Sequence, residues 1–204
     1  DSDIANYAED NSPFSCNEDI ESVIHQLEND SKILLTWVSN SGLKANPDKF
    51  HLILNNPDEK HFIKIQNVQI FNSKCEKLLG IKIDSSLYFT EHVVDLCNKA
   101  SQKLHALSRV AKCMNTEQRR IIMKAFINSE FGYCPLVWMF HSRTLNNRIN
   151  RIHERSLRVV YDDNVSSFEE LLNKDNSFTI HERNIQTLAI ELYKAVNRIS
   201  PVLM

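Results

Sequence analysis

Two neighbouring carboxylates, Glu9 and Asp10, sit in "DIANYAEDNSPFSC" between two short runs of strand-forming residues. Like charges side by side repel, and a plain turn is better served by Asn-Gly or Asp-Gly. Two chemistries stay open: a solvated hairpin tip, or a pair of hard oxygen donors kept for a divalent cation. A second grouping lies in "LNNRINRIHERSLRVVY", where Arg148, Arg151, Arg155 and Arg158 succeed one another at steps of 3, 4 and 3. At about 100° per residue they cover an arc of roughly 80°, beside the apolar seam of Leu145, Ile149, Ile152 and Val159. Such a ridge can clamp successive phosphates bidentately. A solvated face, or pairing with acids of neighbouring helices, is the alternative, and only Glu154 offers compensation within the helix.

The charge balance gives that ridge a setting. Residues 1–98 hold eight Lys/Arg against sixteen Asp/Glu; residues 99–158 hold twelve against three; residues 159–204 hold four against seven. A net charge of −2 thus conceals a basic block of the kind that meets phosphate. Only three glycines are present (Gly42, Gly80, Gly132), and neither GxGxxG nor GxxxxGK[ST] occurs, which excludes the usual nucleotide-cradling loops. No apolar run approaches the about 20 residues needed to cross a bilayer, and the acidic start is unlike a signal peptide. The chain starts without Met and stops at "SPVLM", as a piece of a longer protein would.

The elements that must carry these residues fall into two textures, predicting an α+β fold with a boundary near residue 90. Residues 1–90 read as strands with one helix. "DIANYA" and "SPFSC" flank the acidic pair as a hairpin. Ile20, Val23, Ile24, Leu27, Leu34, Leu35 and Val38 recur at helical spacing, with Gly42 placed to end the helix. "FHLIL" reads as a strand, "FIKIQNVQIF" as a hairpin turning at Gln66-Asn67, and "KLLGIKID" as one further strand with Gly80 at a close backbone approach. Residues 91–204 read as helices. The face Val93, Cys97, Ala100, Leu104, Leu107 and Ala111 comes after a Thr90 N-cap. Asn115-Thr116 opens a second helix, interrupted around Gly132 and Pro135. The arginine-bearing segment is a third, "SSFEELL" a fourth capped by Ser166 or Ser167, and Ile185, Leu188, Leu192, Ala195, Val196 and Ile199 mark a fifth.

Other reactive residues carry less. Five cysteines at wide, odd spacing fit reduced, mostly buried thiols, and no pattern supports a catalytic one. The eight histidines lack metal-ligand spacing, so His153 and His181 read as structural. Trp37, Trp138, Phe140 and Tyr133 read as core. Phe14 and Tyr7 lie near the acidic pair, and no GxSxG supports Ser/His/Asp chemistry.

"IANYAEDNSPFS" resembles the YxDD hairpin of reverse transcriptases, in the YADD form of jockey-like non-LTR retrotransposons. The order of the downstream segments strengthens the likeness. "SGLKANPDKFHLIL" resembles the next palm motif, "CEKLLGIKIDSSLYFTEHV" the primer-grip region with its Leu-Gly, and "AFINSEFGYCPLVWMFHSRTLNNRINRIHERSLRVVY" with "FEELLNKDNSFTIHERNIQTLAIELYK" the helical thumb and the segment after it. The resemblance covers practically all of the chain. It implies a partial polymerase palm over 1–90 and a thumb with a helical continuation over 91–204.

The resemblance implies that Glu9 and Asp10 hold Mg²⁺ in the full-length parent, where two metals stabilise the charge of nucleotidyl transfer. It puts Tyr7 at the motif's aromatic position and Lys49 beside the leaving pyrophosphate. Leu79 and Gly80 would lie at the primer end, and Arg148, Arg151, Arg155 and Arg158 on a duplex-facing surface. RNA template, DNA primer and deoxynucleoside triphosphates are the implied partners, without a membrane. The nucleus and cytoplasm are the implied locations; nothing fixes an oligomeric state. Two departures count against activity of the isolated chain. Glu9 stands where the motif has Asp, and an extra methylene displaces a ligand that Mg²⁺ needs in near-octahedral geometry. The other catalytic Asp and the fingers would precede residue 1, and Asp1 and Asp3 are too near the hairpin to substitute. The alternatives are a catalytically dead nucleic-acid-binding remnant, and a helical protein-interaction module.

Overall fold

The computed structural model describes residues 3–7, 10–55 and 59–199. It is an α+β protein that divides into two compact units, Asp1–Leu87 and Tyr88–Met204.

In the first unit, β1 (Asp3–Tyr7) and β2 (Asp10–Phe14) form an antiparallel hairpin. Helix α1 (Ile20–Asn40) comes next. Asp19 caps it by accepting from the Glu21 and Ser22 amides, and Gly42, at φ +74°, ends the turn beyond it, a conformation glycine adopts without a Cβ clash. The remaining strands are β3 (Leu52–Ile53), β4 (Phe62–Ile65), β5 (Val68–Ser73), β6 (Cys75–Leu78) and β7 (Ile81–Asp84). They build a sheet ordered β3-β5-β4 and a separate β6-β7 hairpin. The β4–β5 pairing is antiparallel, with Gln66 left-handed at the turn, whereas β3 lies parallel to β5. Val23 and Leu27 of α1 pack with Leu52, Leu54, Ile63, Ile65 and Ile70. The alternation along β4 and β5 thus puts one sheet face against the helix. Glu28 fastens the pair by accepting the Lys64 amide at 2.7 Å.

"KLLGIKID" is two strands. Leu78 pairs with Ile81, leaving Leu79-Gly80 as a two-residue turn with φ +48° and +88°. Two successive left-handed residues match the right-handed twist of the flanking strands. Gly80 therefore serves a reversal, where the sequence suggested a close backbone approach.

The second unit is helical: α2 (Thr90–Val110), α3 (Thr116–Ile122), α4 (Pro135–Trp138), α5 (Arg143–Tyr161), α6 (Phe168–Asp175) and α7 (Ile180–Val196). Asn115 with Gln118, Ser167 with Glu170 and Thr179 with Glu182 form reciprocal capping boxes. Thr90 is not a cap; it is the first residue of α2, preceded by Phe89 in left-handed backbone without a side-chain cap. Phe89 packs instead against the core. Beyond α3 the chain widens into a π turn (Met123–Ile127) and then tightens into a 3₁₀ turn (Asn128–Phe131) before Gly132 and Pro135. The core includes Val93, Cys97, Ala100 and Leu104 of α2, Met123, Ile127 and Phe131 of the connecting turns, Trp138 of α4, Ile149, Leu157 and Val160 of α5, Leu171 of α6 and Ile180 of α7.

Several burial expectations fail. Only Trp138 of the four aromatics is core; its indole N–H donates to the Tyr133 carbonyl at 3.0 Å, while Trp37, Tyr133 and Phe140 are exposed. Of the cysteines only Cys97 is fully buried; Cys75 is half-buried and Cys16, Cys113 and Cys134 are exposed. On α7, Ile185, Leu192 and Val196 face solvent, because the helix docks through Ile180 and Asn184 instead.

Candidate nucleic-acid interface

The register of the first hairpin decides where its acids lie. Tyr7 pairs with Asp10, so the connection consists of Ala8 and Glu9 alone, and Asp10 begins the return strand. Glu9 falls outside the described residues, and for Tyr7 and Asp10 the description extends to backbone and pairing. Asp3 pairs with Phe14 at the opposite end, roughly 13 Å of strand away from Tyr7, so β1 brings no third carboxylate to the turn. The donors suit a hard divalent ion in type but are short in number. Among the described residues no group of three or more His, Cys, Asp or Glu converges on a metal position. The hairpin is anchored from behind by Ser15, which donates to Gln26 of α1 at 2.8 Å.

Lys49 is exposed at the end of a 3₁₀ turn (Pro47–Lys49), whose first amide is capped by Asn46. Phe50 then packs into the first unit's core and so fixes where the lysine emerges. Leu79 and Gly80 occupy the tip of the β6-β7 hairpin. A leucine in left-handed backbone costs on the order of 1 kcal/mol, and the paired strands must impose it. The hairpin, the Lys49 turn and the Leu79-Gly80 tip belong to three different backbone substructures, and strand pairing does not join them into one sheet.

Helix α5 carries the arginine ridge. Its buried side is broader than periodicity alone suggests: His153, Ser156, Leu157 and Val160 join Leu145, Ile149 and Ile152, whereas Val159 is only half-buried. That shifts the seam by roughly 40° away from the arginines, which thus lie almost opposite it. The four are not equivalent. Arg148 donates to Asn98 of α2 at 2.7 Å, and Arg158 pairs with Glu154 at 2.6 Å and reaches the Asp163 carbonyl. Arg151 and Arg155 are exposed and meet no partner among the described residues. Their Cα atoms are about 6 Å apart along the axis, a spacing suited to neighbouring phosphates of one strand.

No protein-family model, curated protein or solved structure matches the chain.

The helical unit also contains a polar centre that the sequence did not reveal. Asp175 is buried, accepting from Arg120 Nε at 2.7 Å and from the Tyr161 hydroxyl at 2.8 Å, with Lys124 Nζ at 3.6 Å. Arg120 also donates to the Asp175 carbonyl. Burial alone would raise the Asp175 carboxyl; the bonds from Arg120 and Tyr161, with the Lys124 charge beside them, outweigh it and keep the group below the usual carboxylate range. Burial and the bond to Asp175 push the Tyr161 hydroxyl up to about 12. Beside this centre His153 is buried with its ring nearly perpendicular to that of Phe168, and burial together with Arg183 lowers its imidazole to about 4. Pairs 55 residues apart leave no local pattern; the one available signal was an acid ending an otherwise capped, amphipathic helix. Cys97 is fully enclosed, and burial, partly offset by Arg148, raises its thiol to about 11, away from the thiolate form a nucleophile needs.

Proposed function

We propose that the chain is the palm-to-thumb portion of a reverse transcriptase resembling those of jockey-like non-LTR retrotransposons, and that α5 holds nucleic acid by its phosphates. The observation that carries the proposal is the hairpin register: Tyr7 opposite Asp10 puts Asp10 at the first position of the return strand, directly after Glu9 in the sequence. Nucleotidyl transfer needs neighbouring carboxylates at a tight, rigid turn. Glu9 and Asp10 would hold Mg²⁺, which when bound supplies charge stabilisation for phosphoryl transfer.

The remaining roles rest on what each residue can do. Tyr7, paired with Asp10, would fix the strand end that presents the carboxylate. Lys49, exposed on a capped turn, can neutralise or protonate a departing pyrophosphate. The Leu79-Gly80 reversal presents a narrow apolar tip to a primer end. Arg151 and Arg155 are available for phosphates, with Arg148 and Arg158 bracketing them in fixed positions. Contacts of this kind read backbone and shape, not sequence.

A second function, binding without polymerisation, is favoured by Glu9 in the place of the motif's Asp. Both share the arginine ridge, and both differ from a protein-interaction module. Anisotropy of a labelled RNA–DNA primer–template titrated with the 204-residue chain tests the shared part. The expected result is weak, salt-dependent binding without primer extension. Substituting Arg151→Glu and Arg155→Glu together should weaken it at least tenfold and flatten the salt dependence by about two counterions. Binding that is indifferent to both substitutions would overturn the assignment.

A further inference from the structure

The exposed face of α7 is built from Ile185, Ala189, Leu192 and Val196, at steps of 4, 3 and 4, with Tyr193 alongside. A 4-3-4 run is the spacing with which one helix packs along another, whereas a sheet or an extended segment imposes no such period. Within its own unit α7 uses a different side: Ile180 and Asn184 are buried, Leu188 is half-buried, and Glu191 pairs with Lys194 away from the stripe. Ile185 is 47%, Leu192 57%, Tyr193 64% and Val196 81% exposed. At ordinary side-chain areas that leaves roughly 550 Å² of apolar surface on one helix face, near the upper limit for a monomer's largest patch.

We propose that this face pairs with its counterpart on a second copy of the chain, the two α7 helices running antiparallel. Three features select a second copy. The stripe is self-complementary in that orientation: Ile185 meets the partner's Val196, and the small Ala189 receives the partner's large Leu192, each contact occurring twice under a two-fold axis. The positions flanking it, Gln186, Leu188, Tyr193 and Ala195, carry no charge, so bringing two identical faces together creates no like-charge contact. The pair would remove about 1,100 Å² from water, just above the roughly 1,000 Å² that a specific interface requires. Antiparallel helices also oppose their dipoles. Nothing in this pairing depends on the polymerase reading.

The test is the molar mass of the 204-residue chain, by sedimentation and light scattering from about 1 to 100 μM. A concentration-dependent shift from one copy to two is expected. Leu192→Glu should raise the dissociation constant at least about a hundredfold by burying two carboxylates at the centre. Ala189→Leu alone and Leu192→Ala alone should each weaken association. Combined, they should restore it, because the large and small partners merely exchange places. All these positions are exposed, so circular dichroism of each variant should match the parent. A single-copy mass throughout, or a dimer indifferent to Leu192→Glu, overturns the proposal. A double variant no better than its worse parent overturns the antiparallel pairing.

Discussion

Acidification should destabilise the helical unit through His153, and the size of the effect can be worked out from its surroundings. The imidazole is 1% exposed, and neither ring nitrogen has a hydrogen-bond partner among the described residues. Burial and two charged groups set its charge. Burial opposes protonation most, the Arg183 guanidinium adds to that, and Asp175 partly offsets it, leaving the folded-state value at about 4. In the unfolded chain the ring titrates near 6.5. A depressed histidine leaves stability intact above the unfolded value; stability is lost as pH falls, since the unfolded chain binds a proton that the folded one refuses. Between those values the loss at pH 5 comes to about 2 kcal/mol, and below pH 4 it levels off near 3 kcal/mol. Asp175, held below the usual carboxylate range, titrates lower still and does not enter the window between pH 5 and 6.5. The assay is urea unfolding at pH 7 and pH 5, followed by Trp138 fluorescence in a Trp37→Phe background. Substituting His153→Leu, which keeps the site filled, should remove about 2 kcal/mol from the difference between the two pH values. His141, also lowered chiefly by burial, titrates in both proteins and cancels. An unchanged pH dependence in His153→Leu would refute the reasoning.

Asp175→Ala should cost about 3 kcal/mol, at the lower end for breaking a buried pair because the Arg120 side chain keeps 30% exposure; chemical denaturation measures it. Gly80→Ala should cost about 1 kcal/mol, since its φ of +88° suits glycine, whereas Leu79→Asn should stabilise by a few tenths; thermal midpoints for the two should move in opposite directions. Trp138→Ala should cost about 3–5 kcal/mol, while Trp37→Ser, at an exposed site, should stay within about 0.5 kcal/mol in the same denaturation measurement.

What the sequence made legible was local. The caps at Asn115 and Ser167, the stop at Gly42, the reversal at Gln66-Asn67 and the first hairpin all depend on interactions within a few residues. Burial was harder to anticipate, because periodicity shows that a face exists without showing what covers it. On α2 the expected face is core; on α7 an equally regular one faces water. The β6-β7 reversal was missed because leucine disfavours left-handed backbone, so Leu79 concealed half of the turn signal. The candidate site was legible as residue types, and its polar neighbours were not. The Arg148–Asn98 bond spans 50 positions, and Asp175 draws on Arg120 and Tyr161 from two other helices.

On α5 the side that touches the core and the side that bears Arg151 and Arg155 share no residue. Selection can therefore act on each side separately. A copy released from its role could exchange both guanidiniums for neutral groups while its melting behaviour stayed the same. If Arg151 and Arg155 hold phosphates as proposed, natural variants that no longer bind nucleic acid should differ freely at those two positions, and remain uniform at Ile149, Leu157 and Val160 for as long as the bundle still forms.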